Sequence, residues 1–459
     1  MTVDTDMLQE RLDVLREKYG VPGASLAVLS PGSTTAVASG VLNLATGVPA
    51  TPDSLFQIGS ISKVWTATVV MQLVDEGLVG LDEPVQRYLP AFRVSDPDVS
   101  ATVTIRHLLA HNSGIDGDHL EDTGRGDDVL EKYVTSCADL RQVHPIGAAM
   151  SYCNTGYSIL GRVIEVVTGT LWDDAMRTRL FAPLGLTHTV TLPEEALRYR
   201  TAIGHIQLPG QDLMPSPAWG LPRSLGPAGT ICATATDLLA FAAAHLADGA
   251  TAGGDRVLSV GSAEAMRQPQ VAVPSGGYEL FPDQWCLGWS AFSWNGRSVV
   301  GHDGQTIGQS AFLRLVPDCG VAIALLTNGG DPMGLFLDLS RDLLAEFADV
   351  EMPPPATPLD PAPQFDPAPY LGVYSREGAR LEVVARAGEI LGIQTITGPA
   401  AAMMPDPLEL PLRPLDLATE TFLTRVPLAP DVWLPARFVT LSDGSRCIHI
   451  AGRATPKVA

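Results

Sequence analysis

Between Met352 and Tyr370 the chain reads MPPPATPLDPAPQFDPAPY, and no other stretch restricts its folding so severely. Proline fixes φ and removes an amide donor, so neither helix nor sheet propagates through such a run, and a stiff, extended connector is expected. It divides the chain into residues 1–351, long enough for a full-sized core, a linker over 352–369, and residues 370–459, which form a small second domain.

Ahead of the connector, strand-like runs at Ala24–Ser30, Thr34–Gly40, Gln309–Val316 and Val321–Thr327 bracket helical patterns at Ser60–Glu76, Gly156–Thr168 and Thr236–Ala247. Strands at both ends with helices between them predict an α+β fold: an antiparallel sheet closed by the two ends of the segment and flanked by helices. Beyond the connector, short alternating pieces at Arg380–Ala385, Thr421–Val426, Arg437–Leu441 and Cys447–Ala451, punctuated by Gly, Pro and Asp, predict a small antiparallel barrel or sandwich.

Charge narrows the partners. With 30 Lys and Arg against 51 Asp and Glu, the formal charge of -21 repels polyanions, which excludes nucleic acid and anionic membrane as principal partners. The opening residues place Leu8, Leu12 and Leu15 on one face of an amphipathic helix and do not read as a signal peptide. No run is apolar enough for membrane insertion, and the six cysteines lack CxxC spacing, so a cytoplasmic protein with reduced thiols is expected.

Three segments carry candidate chemistry. In FQIGSISKVWTATVVMQLVDEG, Ser60 and Lys63 share a face at the start of a helix that is apolar nearly all round. The positive end of such a helix favours an alkoxide and disfavours a second cation, and a lysine stripped of water gives up its proton and accepts one from serine. A lone Ser-x-x-Lys also fits a capping serine beside a solvated lysine. Lysine is rare here (Lys18, Lys63, Lys132, Lys457), whereas arginine cannot deprotonate, which favours the titrating role.

In SYCNTGYSILGRVIEVVTG, Tyr152 and Asn154 point to one side of an extended segment, suited to proton transfer and to orienting an acyl group, or alternatively to a core phenol and a helix cap. In VVGHDGQTIGQSAFLRLVPDCG, His302, Asp303 and Gly304 open a probable edge strand, with Gly304 permitting close approach of a substrate backbone.

Ser-x-x-Lys, Tyr-x-Asn and His-x-Gly in this order and spacing resemble the three motifs of the serine β-lactamase and penicillin-binding-protein superfamily over roughly residues 5 to 350, most closely its class C branch with the esterase and D-aminopeptidase relatives. The segments TVTIRHLLAHNSGI and GPAGTICATATDLLAFAAAHL are similar to framework stretches of that family. The resemblance implies Ser60 as acylated nucleophile, Lys63 as its base, Tyr152 as proton shuttle, Asn154 as a contact to the acyl amide, and an oxyanion hole from the backbone N–H groups of Ser60 and Gln305. His302 stands where many relatives carry the lysine of Lys-Thr-Gly, which argues against β-lactam hydrolysis. No cofactor and no metal is implied.

The added β domain, expected to be lipocalin-like, resembles that of the penicillin-binding-protein-type thioesterases, nonribosomal peptide cyclases in which a C-terminal-domain arginine, here Arg453 in HIAGRATP, contacts the peptide. The implied activity is offloading and head-to-tail macrolactam cyclisation of a peptidyl thioester through acyl-Ser60, with a peptidyl carrier protein as a partner. The alternative is a hydrolase of esters or D-configured peptides using the same residues. His107 and His111 in HLLAH read as structural, since the glutamate of HExxH is missing. The acidic run from Asp116 to Asp128 reads as a solvated lip of the cleft rather than a calcium loop.

Overall fold

The computed structural model describes residues 3–207, 211–386, 388–398, 401, 406–426 and 429–459. Among them, nine strands form one sheet: β1 (Gly23–Ser30), β2 (Ser33–Asn43), β3 (Val48–Pro49), β4 (Val271–Ala272), β5 (Gln284–Trp285), β6 (Ser290–Trp294), β7 (Arg297–Gln305), β8 (Ser310–Val316) and β9 (Val321–Thr327). Their order is β3-β2-β1-β9-β8-β7-β6-β5-β4. The strand β1 pairs antiparallel with β9, from Ala24 opposite Thr327 to Leu29 opposite Ala322, so distant segments of the chain meet at the middle of the sheet, as expected.

Both faces of these central strands are covered, which explains their near-continuous apolar sequences. On one face Leu26, Val28, Phe312 and Ile323 pack against Leu8 and Leu12 of α1 (Thr5–Lys18) and Leu335 and Phe336 of a helix near residue 340. On the other, Ala27, Leu313 and Ala324 meet α2 (Ser62–Asp75), α3 (Asn154–Thr168) and α4 (Ala235–Leu246); the helix at Pro332–Ala348 is α5. Nearly every side chain of α2 is buried, so this helix is held by packing all round rather than by an amphipathic stripe.

Residues 351–367 contain neither helix nor strand. After them, β10 (Gly372–Arg376), β11 (Ala379–Arg386), β12 (Glu389–Ile396), β13 (Leu408–Asp416), β14 (Thr421–Val426), β15 (Ala429–Thr440), β16 (Arg446–Ile450) and β17 (Arg453–Pro456) follow one another as an antiparallel meander. The first and last strands meet: Tyr374 bridges Lys457, and Val458 N donates to Val373 O at 2.7 Å, so the meander becomes a nearly closed barrel. Joining the edges removes two rows of unpaired backbone groups. Tyr370, Tyr374, Phe422, Phe438 and Ile448 fill the interior. Of the two architectures the alternation allowed, the barrel is the one adopted. Among the described residues, no helix is long and apolar enough to cross a membrane.

The barrel is stitched to the rest of the chain near residue 150. Tyr152 N donates to Gly452 O at 2.8 Å, Ala454 N to Ser151 Oγ at 3.1 Å, and His449 Nε2 to Met150 O at 3.1 Å. Leu441, Cys447 and Ala454 of the barrel share an apolar cluster with Val143 and Ala149.

Candidate active site

A single 3-10 turn, Gly59–Ile61, leads directly into α2 and sets Ser60 at its entrance. One helical turn later, Lys63 is completely buried. Its Nζ donates to Ser60 Oγ at 3.0 Å and to Ala228 O at 2.7 Å. Burial pulls the Lys63 pKa far below its ordinary value, the cation of Arg453 adds to the effect, and Asp118 opposes it. A lysine so shifted gives up its proton more readily than an exposed one, and the amine that results can accept a proton from a hydroxyl.

Tyr152 lies across this pair, its ring centre 4.8 Å from Lys63 Nζ. Burial pushes its phenol above the ordinary value, while hydrogen bonding with Ser60 and the charge of Arg453 work in the opposite direction. A phenol held protonated can donate to a leaving group, and an amine held neutral can act as a base. Two residues on, Asn154 begins α3, where the sulfur of Cys153, not Asn154, caps the helix by accepting from Gly156 N at 3.3 Å. The amide of Asn154 donates through Nδ2 to Asp118 Oδ1 at 3.2 Å instead.

The strand β7 supplies the third element, with a correction. Rather than lying at the edge of the sheet, β7 is flanked by β6 and β8. Its pairing with β6, however, ends at Gly301, so residues 302–305 are free on that side. Because Thr306 N donates to Gln309 O at 3.0 Å, antiparallel alternation turns the N–H of Gln305 away from β8 and toward the 3-10 turn. A Cβ placed on Gly59, whose φ is +51°, would lie 2.5 Å from Gln305 N, and one on Gly304 would lie 1.9 Å from Ile58 O and 2.8 Å from Ser60 N. The close approach that Gly304 permits is therefore made by the chain's own turn, not by a substrate backbone. Two facing glycines bring the amides of Ser60 and Gln305 into one neighbourhood, the arrangement an oxyanion requires.

His302 is buried, with burial and the nearby Lys63 lowering its pKa to about 3. Its Nδ1 donates to Asp303 O at 2.7 Å, so in the neutral ring Nε2 carries a lone pair. Asp303 itself points to the opposite face and holds Arg314, which is fully buried between the rings of Phe292 and Phe336, with contacts of 2.5 and 3.0 Å.

Sequence reasoning missed two contributors. His111, read as structural, has its ring centre 4.4 Å from that of Tyr152 and 4.9 Å from that of Trp285. Cys153 N donates to its Nδ1 at 3.0 Å, so its proton sits on Nε2, the reverse of His302. Among the described residues, neither Nε2 meets a hydrogen-bond partner. The second is Asp118, assigned above to a solvated lip. It is half-buried instead: Arg453 Nε donates to it at 2.7 Å, and Arg376 and Asn154 also donate to it. A signal for this was present in Asp-Gly-Asp, because a Cβ on Gly117 would lie 2.5 Å from Tyr152 O, and only glycine lets the acidic segment run so close to the catalytic one. The guanidinium of Arg453 is 5.1 Å from the Tyr152 ring centre, so the barrel residue singled out from sequence does reach this group.

Residues 8–346 match the family model described as Beta-lactamase. The chain is 52% identical over 380 residues to "Penicillin-binding protein 4" of Amycolatopsis lactamdurans, covering 82% of this chain and 99% of that protein. Among solved structures, SurE is 30% identical with a TM-score of 0.79 over 99% of both chains; for SurE with D-Leu the identity is 28%, with the same TM-score of 0.79 and coverage of 99%. The D-amino acid amidase of Ochrobactrum anthropi SV3 complexed with L-phenylalanine amide is 27% identical, with a TM-score of 0.60 over 73% of this chain and 98% of that one.

Proposed function

This chain belongs to the beta-lactamase family, and we propose that within it the protein is a peptidyl acyltransferase that releases a thioester-bound peptide as a head-to-tail macrolactam. Ser60 Oγ attacks the thioester carbonyl while its proton passes to Lys63. The C–S bond breaks, and Tyr152 protonates the departing thiol and is recharged by Lys63. The amides of Ser60 and Gln305 hold the oxyanion, and Asn154 faces the acyl amide. In the second half, the peptide's own amine attacks the Ser60 ester, a C–N bond replaces the C–O bond, and the amine proton returns along the same relay to Ser60.

Cyclisation prevails over hydrolysis where the amine is held close and water is kept away; well-oriented intramolecular attack reaches effective concentrations of roughly 10⁵ M and above. The observation that carries this reading is the seat of the barrel turn on the catalytic segment, with Tyr152 N bonded to Gly452 O at 2.8 Å and Arg453 beside the phenol. That cover favours a catalytic unit over residues 1–351 roofed by residues 370–459. The full-length likeness to SurE, a structure of which contains D-Leu, supports a D-configured residue in the acyl donor.

A second reading, hydrolysis of D-configured amides or esters, is favoured by the likeness to D-amino acid amidase. One experiment separates them. The protein is incubated with a linear peptidyl thioester, and the masses of the acyl-enzyme and of the released product are measured. A product one water lighter than the free acid, with a peptidyl adduct on Ser60, is expected; free acid alone would overturn the cyclase reading.

A further inference from the structure

The carboxylate of Asp118 has four donors around it. Arg453 Nε reaches Oδ2 at 2.7 Å and Arg453 Nη2 reaches Oδ1 at 3.1 Å, a two-point grip from the barrel. Arg376 Nη1 adds a second barrel contact to Oδ2, and Asn154 Nδ2 donates to Oδ1 at 3.2 Å. The side chain is only 14% exposed, so bulk water competes weakly with these contacts. Next to it Asp116 is buried and accepts from Glu377 N at 2.6 Å, which fixes the turn that carries Arg376.

We infer that Asp118 is a positioning residue for acyl transfer, aligning the Asn154 amide and the Arg453 guanidinium on either side of the acyl group; this rests on the acyltransferase reading above. The argument is one of polarity. An ionised carboxylate accepts hydrogen bonds and donates none, so it fixes which end of the Asn154 amide faces it: the NH2 group turns to Asp118 and the carbonyl oxygen turns away, as an acceptor for a peptide N–H. A neutral partner does not impose that choice. The same carboxylate clamps Arg453 in the plane that brings it to 5.1 Å from the Tyr152 ring. One anion on the family fold thus sets both a neutral acceptor and a cation, although it touches no reacting atom itself. Burial and Arg453 have opposite effects on this acid, and the two arginines prevail, holding it ionised with a pKa of about 2.

The test compares Asp118→Asn, and Asp118→Asn combined with Arg376→Met to remove the surplus buried cation, with the unaltered protein. Two readouts are taken: kcat/KM on a linear peptidyl thioester, and the rate at which a small fluorophosphonate labels Ser60, a probe too short to reach Asn154 or Arg453. Thioester turnover is expected to fall by about 30- to 100-fold, the scale of an ångström-sized misplacement, with labelling unchanged to within about threefold. Combining Asp118→Asn with Arg453→Met should cost no more than about threefold beyond the worse single change, since the two act through one another. Unaltered thioester turnover, a parallel loss in both readouts, or additive effects would each overturn the assignment. If the unaltered protein is labelled at Ser60 but leaves thioesters intact, the acyltransferase reading fails on its own; the same comparison made with a D-amino acid amide then decides the role of Asp118.

Discussion

Replacing Gly304 by alanine probes the proposed oxyanion hole without touching any side chain of the site. The added Cβ would lie 1.9 Å from Ile58 O, 2.8 Å from Ile58 C and 2.8 Å from Ser60 N, all backbone atoms that cannot rotate aside. Clearing even a 3.0 Å contact requires the 3-10 turn and β7 to separate by about 1.1 Å, and that movement opens the gap between the amides of Ser60 and Gln305. Losing one oxyanion donor costs roughly 10²–10³ in rate, or about 2.7–4 kcal/mol of transition-state stabilisation. Because Ile58 N also donates to Ile231 O at 2.9 Å, the turn is tethered behind, and part of the strain will appear as lost stability of about 1–3 kcal/mol. The assay is stopped-flow acylation of Ser60 by a chromogenic ester, alongside a denaturation curve. Acylation within threefold of the unaltered rate, in a protein of unaltered stability, would refute the claim that these glycines set the hole.

Lys63→Arg should lower acylation by about 10²- to 10⁴-fold, because arginine cannot act as a neutral base, and mass spectrometry of Ser60 adducts reads the loss directly. With the Lys63 pKa depressed by burial, acylation should reach its plateau below pH 10.5, the ordinary lysine value; a rate still rising tenfold per unit up to pH 10.5 would contradict it. Asp303→Asn strands the fully buried Arg314 and should destabilise the fold by about 3–5 kcal/mol in urea titrations. Burial brings His245, His302 and His449 down to about 3, so as pH falls below 6.5 the unfolded chain takes protons that the native chain refuses. Each imidazole then removes up to roughly 1.4 kcal/mol of stability per pH unit until its folded value is reached; constant stability between pH 6.5 and 5 would refute this.

What could be read from the sequence was short-range. Ser60 and Lys63 are three apart on one helix, and Tyr152 and Asn154 are two apart on one extended segment, so local geometry alone placed each pair on a common side. The central strands were legible because burial on both faces makes their sequences continuously apolar. The barrel was harder: β13 includes Pro411 and Pro414, and its first and last strands are joined by contacts that no periodicity announces. Hardest of all were polar residues whose meaning depends on a distant partner. Asp118 sits among exposed acids and is half-buried because Arg376 and Arg453 arrive from the barrel, and His111 joins the site because the segment ahead of α3 brings Tyr152 onto its ring. The local freedom of β7 at residues 302–305 depends on where β6 stops pairing, a property of register rather than composition.

The bond from Tyr152 N to Gly452 O has a consequence for the order of events during synthesis. Ser60 is made early and the hairpin that seats Tyr152 is made late, almost the whole chain afterwards, so a ribosome-bound intermediate has its serine and lysine but not its roof. Such a nascent chain is structurally unfinished, and the contacts of Arg453 with Asp118 and Tyr152 form only once residue 453 has emerged and docked.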